Sequence, residues 1–148
     1  NDLERIADFA VTLVKRVKHL VEERLDLRHI ASLPQGQSFR ELQSNTLEVL
    51  GGTMRLLSTS DVETARRVIR SDERIDENYK KFAQAILAGE IPFPTDPAAC
   101  AMTLISLSKA MERIGDLCTN IAEDTIFLLT GDVVRHAGAF DQDRKNKQ

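Results

Sequence analysis

The sequence predicts an all-α fold made of a few long helices. Apolar residues recur at helical spacing, aromatic residues make up only 5% of the chain, and turn residues are scarce, with 7 Gly and 4 Pro in 148 residues. Sheet proteins are richer in aromatic and β-branched residues and need frequent turns. Hydrophobic residues at 42% and charged residues at 29% indicate a globular domain.

The first predicted helix runs from about Asp2 to Ile30, and the polar stretch 32–37 ends it. A second helix is predicted to begin at Ser38, because Ser38 and Glu41 have the spacing of a capping box. The apolar face of the first helix consists of Leu3, Ile6, Ala10, Leu13, Val14, Val17, Leu20 and Val21. That of the second helix consists of Phe39, Leu42, Val49, Leu50, Leu56 and Leu57.

A third helix is predicted to open at Ser60, again with capping-box spacing to Glu63, and to run to about Ala88. Gly89 is suited to its C-terminal cap, and residues 91–94 read as an extended linker.

Asp96 is the predicted N-cap of a fourth helix, with Pro97 at its first position. This helix should run to about Thr130 and end at Gly131. Long helices joined by short connections are typical of a bundle.

Charge and cysteine usage narrow the functional class. The chain has 20 basic and 23 acidic residues and a net charge of −3, which is too acidic for a general nucleic-acid binder. No apolar run approaches the roughly 18 residues of a membrane-spanning helix, and nothing reads as a signal peptide.

Cys100 and Cys118 lie on one helix about 27 Å apart, so they cannot form a disulfide with each other. We therefore expect buried thiols and a cytoplasmic protein.

One acidic motif occurs twice. Glu4 and Asp8, within Glu-Arg-Ile-Ala-Asp, are matched 108 residues later by Glu112 and Asp116, within Glu-Arg-Ile-Gly-Asp. In each copy the two carboxylates lie one helical turn apart on the same face, where like charges repel unless something neutralises them. On a helical wheel both pairs fall opposite the apolar stripe, which predicts that they are exposed.

Further polar side chains extend this pattern. Asn120 and Glu123 continue the stripe of the second copy, and Asp72 and Asp76 form another acidic pair on the third helix, on or near its packing seam. Acids at a seam need a cation or an arginine as partner.

Two interpretations of the carboxylates remain open from the residues alone. Oxygen ligands of this kind bind hard cations such as Mg²⁺ and Mn²⁺, and carboxylates also hold ferric iron. The alternative is a solvated or arginine-paired face without a metal.

Enzyme signatures are weak. A di-iron bundle needs Glu-x-x-His on two helices, and none of His19, His29 and His136 has Glu three residues before it. A helix-borne zinc hydrolase motif and a phosphate-binding glycine loop are also missing from the sequence. We therefore expect no catalysis, and we place the histidines at the surface or at helix ends.

The long run at the end of the fourth helix resembles the C-terminal signature of the PhoU family. Two further segments resemble the family's first repeat and the helix that precedes its final one. The matching segments are Glu112–Asp116, Thr119–Asp124, Leu129–Gly131, Val134–His136, Asp2–Asp8 and Asp72–Asp76.

This resemblance implies a fold and a function. PhoU proteins are tandem three-helix bundles, usually dimers, that hold metal clusters through paired ExxxD motifs. They act as adaptors between the ATPase of the phosphate ABC transporter and a phosphate-sensing histidine kinase, and so repress phosphate uptake and the phosphate-starvation response. The resemblance implies metal ligands among Glu4, Asp8, Asp72, Asp76, Glu112, Asp116, Asn120 and Glu123, with iron, zinc, magnesium or manganese as the bound ion.

The resemblance also sets the expected organisation. Residues 1–31 would be the third helix of a truncated first repeat, 37–138 a complete second repeat forming a three-helix bundle, and 139–148 a polar tail. The first motif departs from the family pattern, with Ala7 in place of the usual glycine. Because the chain starts at Asn1 inside a helical pattern, we expect it to be a piece of a longer protein.

We expect a homodimer that meets the membrane only through its partners. Two alternatives remain: a carboxylate-bridged metal enzyme of the helical-bundle type, and an accessory protein of a low-affinity phosphate permease.

Overall fold

The computed structural model describes residues 1–134, which are helical almost throughout and contain no strand. The predicted all-α class is therefore confirmed. The predicted boundary at residue 138, the tail 139–148 and His136 lie outside the described residues. The helices are α1 Asp2–Glu22, α2 Leu27–Ser32, α3 Gln37–Thr59, α4 Val62–Leu87 and α5 Pro97–Thr130, with a 3₁₀ turn at Pro34–Gly36.

Helices α3, α4 and α5 pack against one another as a three-helix bundle, and α1 lies along α5. Phe39 of α3 and Phe82 of α4 pack together in the bundle core, and their stacked rings have centroids 4.8 Å apart. Because α1, α3 and α4 all contact α5, that helix is the central element of the fold. Helix α5 therefore contacts a neighbouring helix on most of its faces.

The predicted first helix, from Asp2 to Ile30, is wrong in its extent. Helix α1 ends at Glu22 because Arg24 adopts a left-handed conformation with φ 58°, and the Leu25 N–H then donates to the Leu20 carbonyl at 2.9 Å. This hydrogen-bond pattern is the Schellman motif, in which glycine usually occupies the left-handed position. Asp26 then caps the separate short helix α2 by accepting from the Arg28 N–H.

Both predicted capping boxes are wrong. At the start of α3 the 3₁₀ turn leads directly into the helix, and Glu41 accepts a hydrogen bond from the Gln37 side chain instead of serving Ser38. At the start of α4, Ser60 belongs to the end of α3, with φ 50°, and the true N-cap is Asp61. Asp61 accepts from both the N–H and the hydroxyl of Thr64.

The predicted end of α4 and both predicted limits of α5 are confirmed to within a residue. Helix α4 ends at Leu87, and Gly89 has the expected left-handed φ of 73°. Asp96 caps α5 through the N–H groups of Ala98 and Ala99, and Gly131 ends it with φ 76°. Cys100 and Cys118 are buried free thiols, as predicted.

Helix α1 covers only part of its predicted apolar face. Ile6 and Leu20 are buried, and Phe9, which the periodicity did not assign to this face, packs on the core with Leu13. The remaining large members stay exposed, namely Leu3, Val14, Val17 and Val21, and Val11 is exposed beside them. No helix within residues 1–134 has both the length and the apolarity needed to cross a membrane.

Candidate metal centre

Three carboxylates converge where α4 crosses α5. Asp76 comes from α4, and Glu112 and Asp116 come from successive turns of α5. One oxygen atom of each lies within 4.8 Å of the others. Calcium–oxygen distances of about 2.3–2.6 Å place opposing ligands about 5 Å apart, so this spacing fits a large hard cation. For a smaller cation the side chains would have to approach more closely.

Glu112 does not lie on an exposed face, contrary to the helical-wheel prediction. Only 8% of the residue is accessible, because α5 is packed by other helices on several sides. Its Oε1 accepts a hydrogen bond from Lys109 Nζ, which also lies 4.9 Å from the centre of the Tyr79 ring. Its Oε2 is buried without a hydrogen bond. A buried carboxylate oxygen in this condition is costly and needs positive charge nearby.

Arginine and lysine side chains already neutralise part of the cluster. Arg113 donates to Asp116 Oδ2 at 3.0 Å, and its Nε lies 3.9 Å from Glu112 Oε2. Lys80 Nζ lies 3.8 Å from Asp76 Oδ2. These pairs correspond to the arginine-paired alternative, and they leave oxygens of the cluster available for a cation.

Asp72 adds a fourth carboxylate, one turn before Asp76 on α4. Its Oδ1 is buried without a hydrogen bond. Burial, followed by the negative charges of Asp116 and Asp76, raises the pKa of Asp72 from 3.8 to about 6, while the nearby Thr119 hydroxyl acts in the opposite direction. The Thr119 hydroxyl lies close to this carboxylate but falls short of hydrogen-bond geometry. The ionised form of Asp72 is therefore destabilised, and a bound cation would stabilise it.

Gly115 explains how the two helices come close enough to assemble the cluster. A Cβ at this position would lie 3.0 Å from Ile75 Cδ1, 3.2 Å from Ile75 Cγ2 and 3.6 Å from Asp72 Oδ1. A glycine in the middle of a helix costs roughly 0.5–1 kcal/mol relative to alanine. Here its small size permits a close approach of α4 to α5.

A pocket of about 290 Å³ adjoins the cluster and extends toward α1. Helix α1 contributes Arg5 and Phe9 to it, whereas Glu4 and Asp8 are exposed and do not line it. The structure thus brings the α4 and α5 carboxylates together and leaves the first motif apart from them. The remaining lining residues are Asp72, Arg113, Asp116, Leu117, Thr119, Asn120 and Glu123.

Several residues of the site were missed by the sequence analysis. Arg5 and Thr119 join the site through contacts between helices, and no local pattern marks them. Lys109 pairs with Glu112 three residues later on the same helix, so its spacing was an available signal. Gly115 lies within the acidic motif, between Glu112 and Asp116. A glycine in the middle of a predicted helix was the feature that could have indicated a close helix contact.

The chain is similar to a known protein family and to several of its members. A family model described as the PhoU domain matches residues 39–125. A "phosphate-specific transport system accessory protein PhoU homolog" of Xylella fastidiosa is 31% identical over 131 residues, which cover 88% of this chain and 52% of that protein. The homolog of Pseudomonas aeruginosa is 32% identical over 145 residues, covering 93% and 54%. The accessory protein PhoU of Escherichia coli is 24% identical over 143 residues, covering 97% and 56%.

The chain spans about half the length of these curated relatives. No solved structure matches it.

Proposed function

Since the chain belongs to the PhoU family, as a domain match over more than half of its residues shows, we propose that it serves as a metal-binding regulatory adaptor of phosphate transport. In this role it represses phosphate uptake and the phosphate-starvation response without catalysis of its own. Its partners are the ATPase of the phosphate ABC transporter and a phosphate-sensing histidine kinase, both reached from the cytoplasm. The names of the relatives, accessory proteins of the phosphate-specific transport system, support the assignment to this system.

One observation carries the metal part of the proposal. Two oxygens of the α4–α5 cluster, Asp72 Oδ1 and Glu112 Oε2, are buried without hydrogen bonds beside two further carboxylates. A native protein rarely leaves such groups unsatisfied, and an ion is one of the ordinary explanations. Hard cations fit an all-carboxylate set, and magnesium, manganese or iron would draw these side chains closer together than they are here. Asp76, Glu112 and Asp116 would hold the ion, with Asp72 able to join them.

A bound cation would supply positive charge at the mouth of the pocket beside α1. It would hold the acidic side chains in one arrangement and reverse the local field. A partner that docks over this pocket would then sense whether the ion is present.

Metal binding is tested by elemental analysis of purified protein after equilibration with each candidate metal. We expect the double variant Glu112→Gln and Asp116→Asn to lose most of the bound metal. Asp124→Asn is the matched control, because Asp124 is an exposed carboxylate on the same helix outside the cluster. Equal metal content in the double variant and the wild type would remove these residues from the site.

Regulation is tested in the natural full-length protein with a reporter of the phosphate-starvation response. Asp116 is half-buried, so the isosteric change Asp116→Asn is preferable to charge reversal there. We expect derepression at high phosphate with Asp116→Asn and full repression with Asp124→Asn. A folded, metal-free Asp116→Asn protein that still represses fully would separate metal binding from regulation.

The exposed face of α1 supports the dimeric part of the proposal. Val11, Val14 and Val21 are 53%, 68% and 66% exposed along one helix. A continuous apolar surface of this kind indicates an interaction site. We assign it to self-association of this chain.

A further inference from the structure

A second polar pocket lies on another face of α4, between α3 and α4. Its volume is about 210 Å³, below the roughly 300–1,000 Å³ of pockets that accept drug-sized ligands. A pocket of this size suits a small ion or a single functional group. Its lining residues are Glu48, Val49, Gly52, Arg55, Thr64, Arg67, Val68 and Ser71.

Two guanidinium groups, one from each helix, face this pocket. Within residues 1–134, no carboxylate lies within 4 Å of Arg55 or Arg67, although seven other lysine and arginine side chains there have an acidic neighbour at that range. The Arg55 guanidinium also makes no hydrogen bond to any group in the described part of the chain. Arg67 still acts on the Asp61 carboxylate at longer range, since its charge adds to the hydrogen bonds from Thr64 that lower the Asp61 pKa. Arginines that lack a direct ion pair and line one concave site can turn N–H donors toward a ligand.

Neighbouring groups fix the position of Arg67. Its Nη2 donates to the Thr64 hydroxyl at 2.9 Å, and that hydroxyl in turn donates to the Asp61 carboxylate at 2.6 Å. Thr64 is 8% exposed, so the hydroxyl that holds Arg67 is itself fixed in the helix interface. The remaining N–H groups of Arg67 are available to a ligand.

The Arg55 guanidinium lies over two glycines of its own helix. Cβ atoms added at Gly51 and Gly52 would lie 3.7 Å from its Nη1 and 3.9 Å from its Nη2. The guanidinium therefore folds back along α3 over a backbone without side chains. Gly52 also lets Val68 of α4 approach, since a Cβ there would lie 3.2 Å from Val68 Cγ2. Arg55 of α3 and Arg67 of α4 both line the pocket.

We propose that this α3–α4 pocket binds a small tetrahedral oxyanion, either inorganic phosphate or the phosphoryl group of a monoester, between Arg55 and Arg67. Planar guanidinium groups match the oxygens of such anions with paired N–H donors. Glu48 lines the same pocket and opposes anion binding by charge repulsion. The proposal is independent of the metal centre and of the regulatory role.

The test is an NMR titration of the metal-free protein, kept in chelator, with inorganic phosphate, sulfate and phenyl phosphate in separate arms at fixed ionic strength. We expect saturable shifts of the amides of Gly51, Gly52 and Ser71. Arg55→Gln and Arg67→Gln should each weaken binding about tenfold or more, since each removes charge-assisted hydrogen bonds. Arg70→Gln is the matched control, because Arg70 is an exposed arginine on α4 that does not line the pocket.

Glu48→Gln provides a gain of function that a merely structural role would not produce. We expect it to tighten binding several-fold, because it removes the opposing carboxylate. Tighter binding of phenyl phosphate than of phosphate identifies a phosphorylated molecule as the ligand, and the reverse order identifies the free ion. Equal binding of sulfate still supports an oxyanion site. Binding that is unchanged in both Arg55→Gln and Arg67→Gln, or no saturable binding of any of the three anions, overturns the proposal.

Discussion

Replacing Asp72 by asparagine should stabilise the metal-free protein at neutral and alkaline pH. The Asp72 carboxylate is half-buried, has an oxygen without a hydrogen bond, and faces the carboxylates of Asp76 and Asp116. Asparagine has nearly the same shape and no charge, and its amide group can donate to a neighbouring carboxylate. The substitution therefore removes repulsion and desolvation without opening a cavity.

The magnitude follows from the pKa. Burial and the neighbouring acids raise the pKa of Asp72 from 3.8 to about 6, so the folded state binds more protons than the unfolded state between these values. The contribution of Asp72 to stability is therefore most favourable below about pH 4 and declines as the pH rises through 6. At about 1.36 kcal/mol per pKa unit the full loss is about 3 kcal/mol. Solvent screening of a half-buried group reduces this to about 1–2 kcal/mol.

Urea unfolding in chelator at pH 4 and pH 8 measures the effect. We expect Asp72→Asn to exceed the wild type by about 1–2 kcal/mol at pH 8 and to match it at pH 4. Asp124→Asn, which removes an exposed carboxylate, should follow the wild type at both pH values. An equal difference at the two pH values would refute the electrostatic reasoning, since packing or propensity effects do not depend on protonation. Added metal should narrow or reverse the difference at pH 8, because it stabilises the chain that retains the Asp72 carboxylate more than the variant.

Three further outcomes follow from the same structure. Gly115→Ala should destabilise the fold by about 1–3 kcal/mol in urea unfolding, since the added methyl group would lie 3.0 Å from Ile75 Cδ1. The control is Gly51→Ala, which meets only ordinary contacts and should not destabilise the fold. Burial raises the pKa of the Cys118 thiol, so a thiol reagent such as DTNB should leave it unreacted until urea is added, and fast labelling of the native protein would contradict its burial. In sedimentation, the wild type should form dimers that the double change Val14→Lys and Val21→Lys dissociates, and a wild-type monomer at every concentration would refute the assigned interface.

The sequence predicted the helical fold where end signals are strong and local. Asp96, Pro97 and Gly131 define the limits of α5 by backbone chemistry alone, and the structure agrees. The break after Glu22 was missed because arginine, not glycine, adopts the left-handed position at residue 24. That conformation is stabilised by burial of Leu25, which depends on tertiary packing.

The sequence indicated the acidic residues of α4 and α5 that the structure brings together, but not their environment. The spacing of Glu112 and Asp116 was sufficient to identify a paired acidic motif. A helical wheel places Glu112 outside because it considers one helix at a time, whereas α5 contacts three other helices. Its burial is a property of the assembled bundle, whereas its hydrogen bond from Lys109 is a local contact within α5.

The two copies of the acidic motif show that near-identical sequence does not fix equivalent surroundings. Helix α1 has one neighbouring helix within residues 1–134, namely α5, and it meets that neighbour through Ile6 and Phe9. Glu4 and Asp8 consequently remain in solvent, where repulsion between like charges one turn apart costs only a few tenths of a kcal/mol. The second copy lies between packed helices, where the same two carboxylates carry a desolvation penalty and need a cation, an arginine or a lysine. A metal would therefore bind the second copy in this chain, and the first copy would become a comparable site only where another helix or a second subunit covers it.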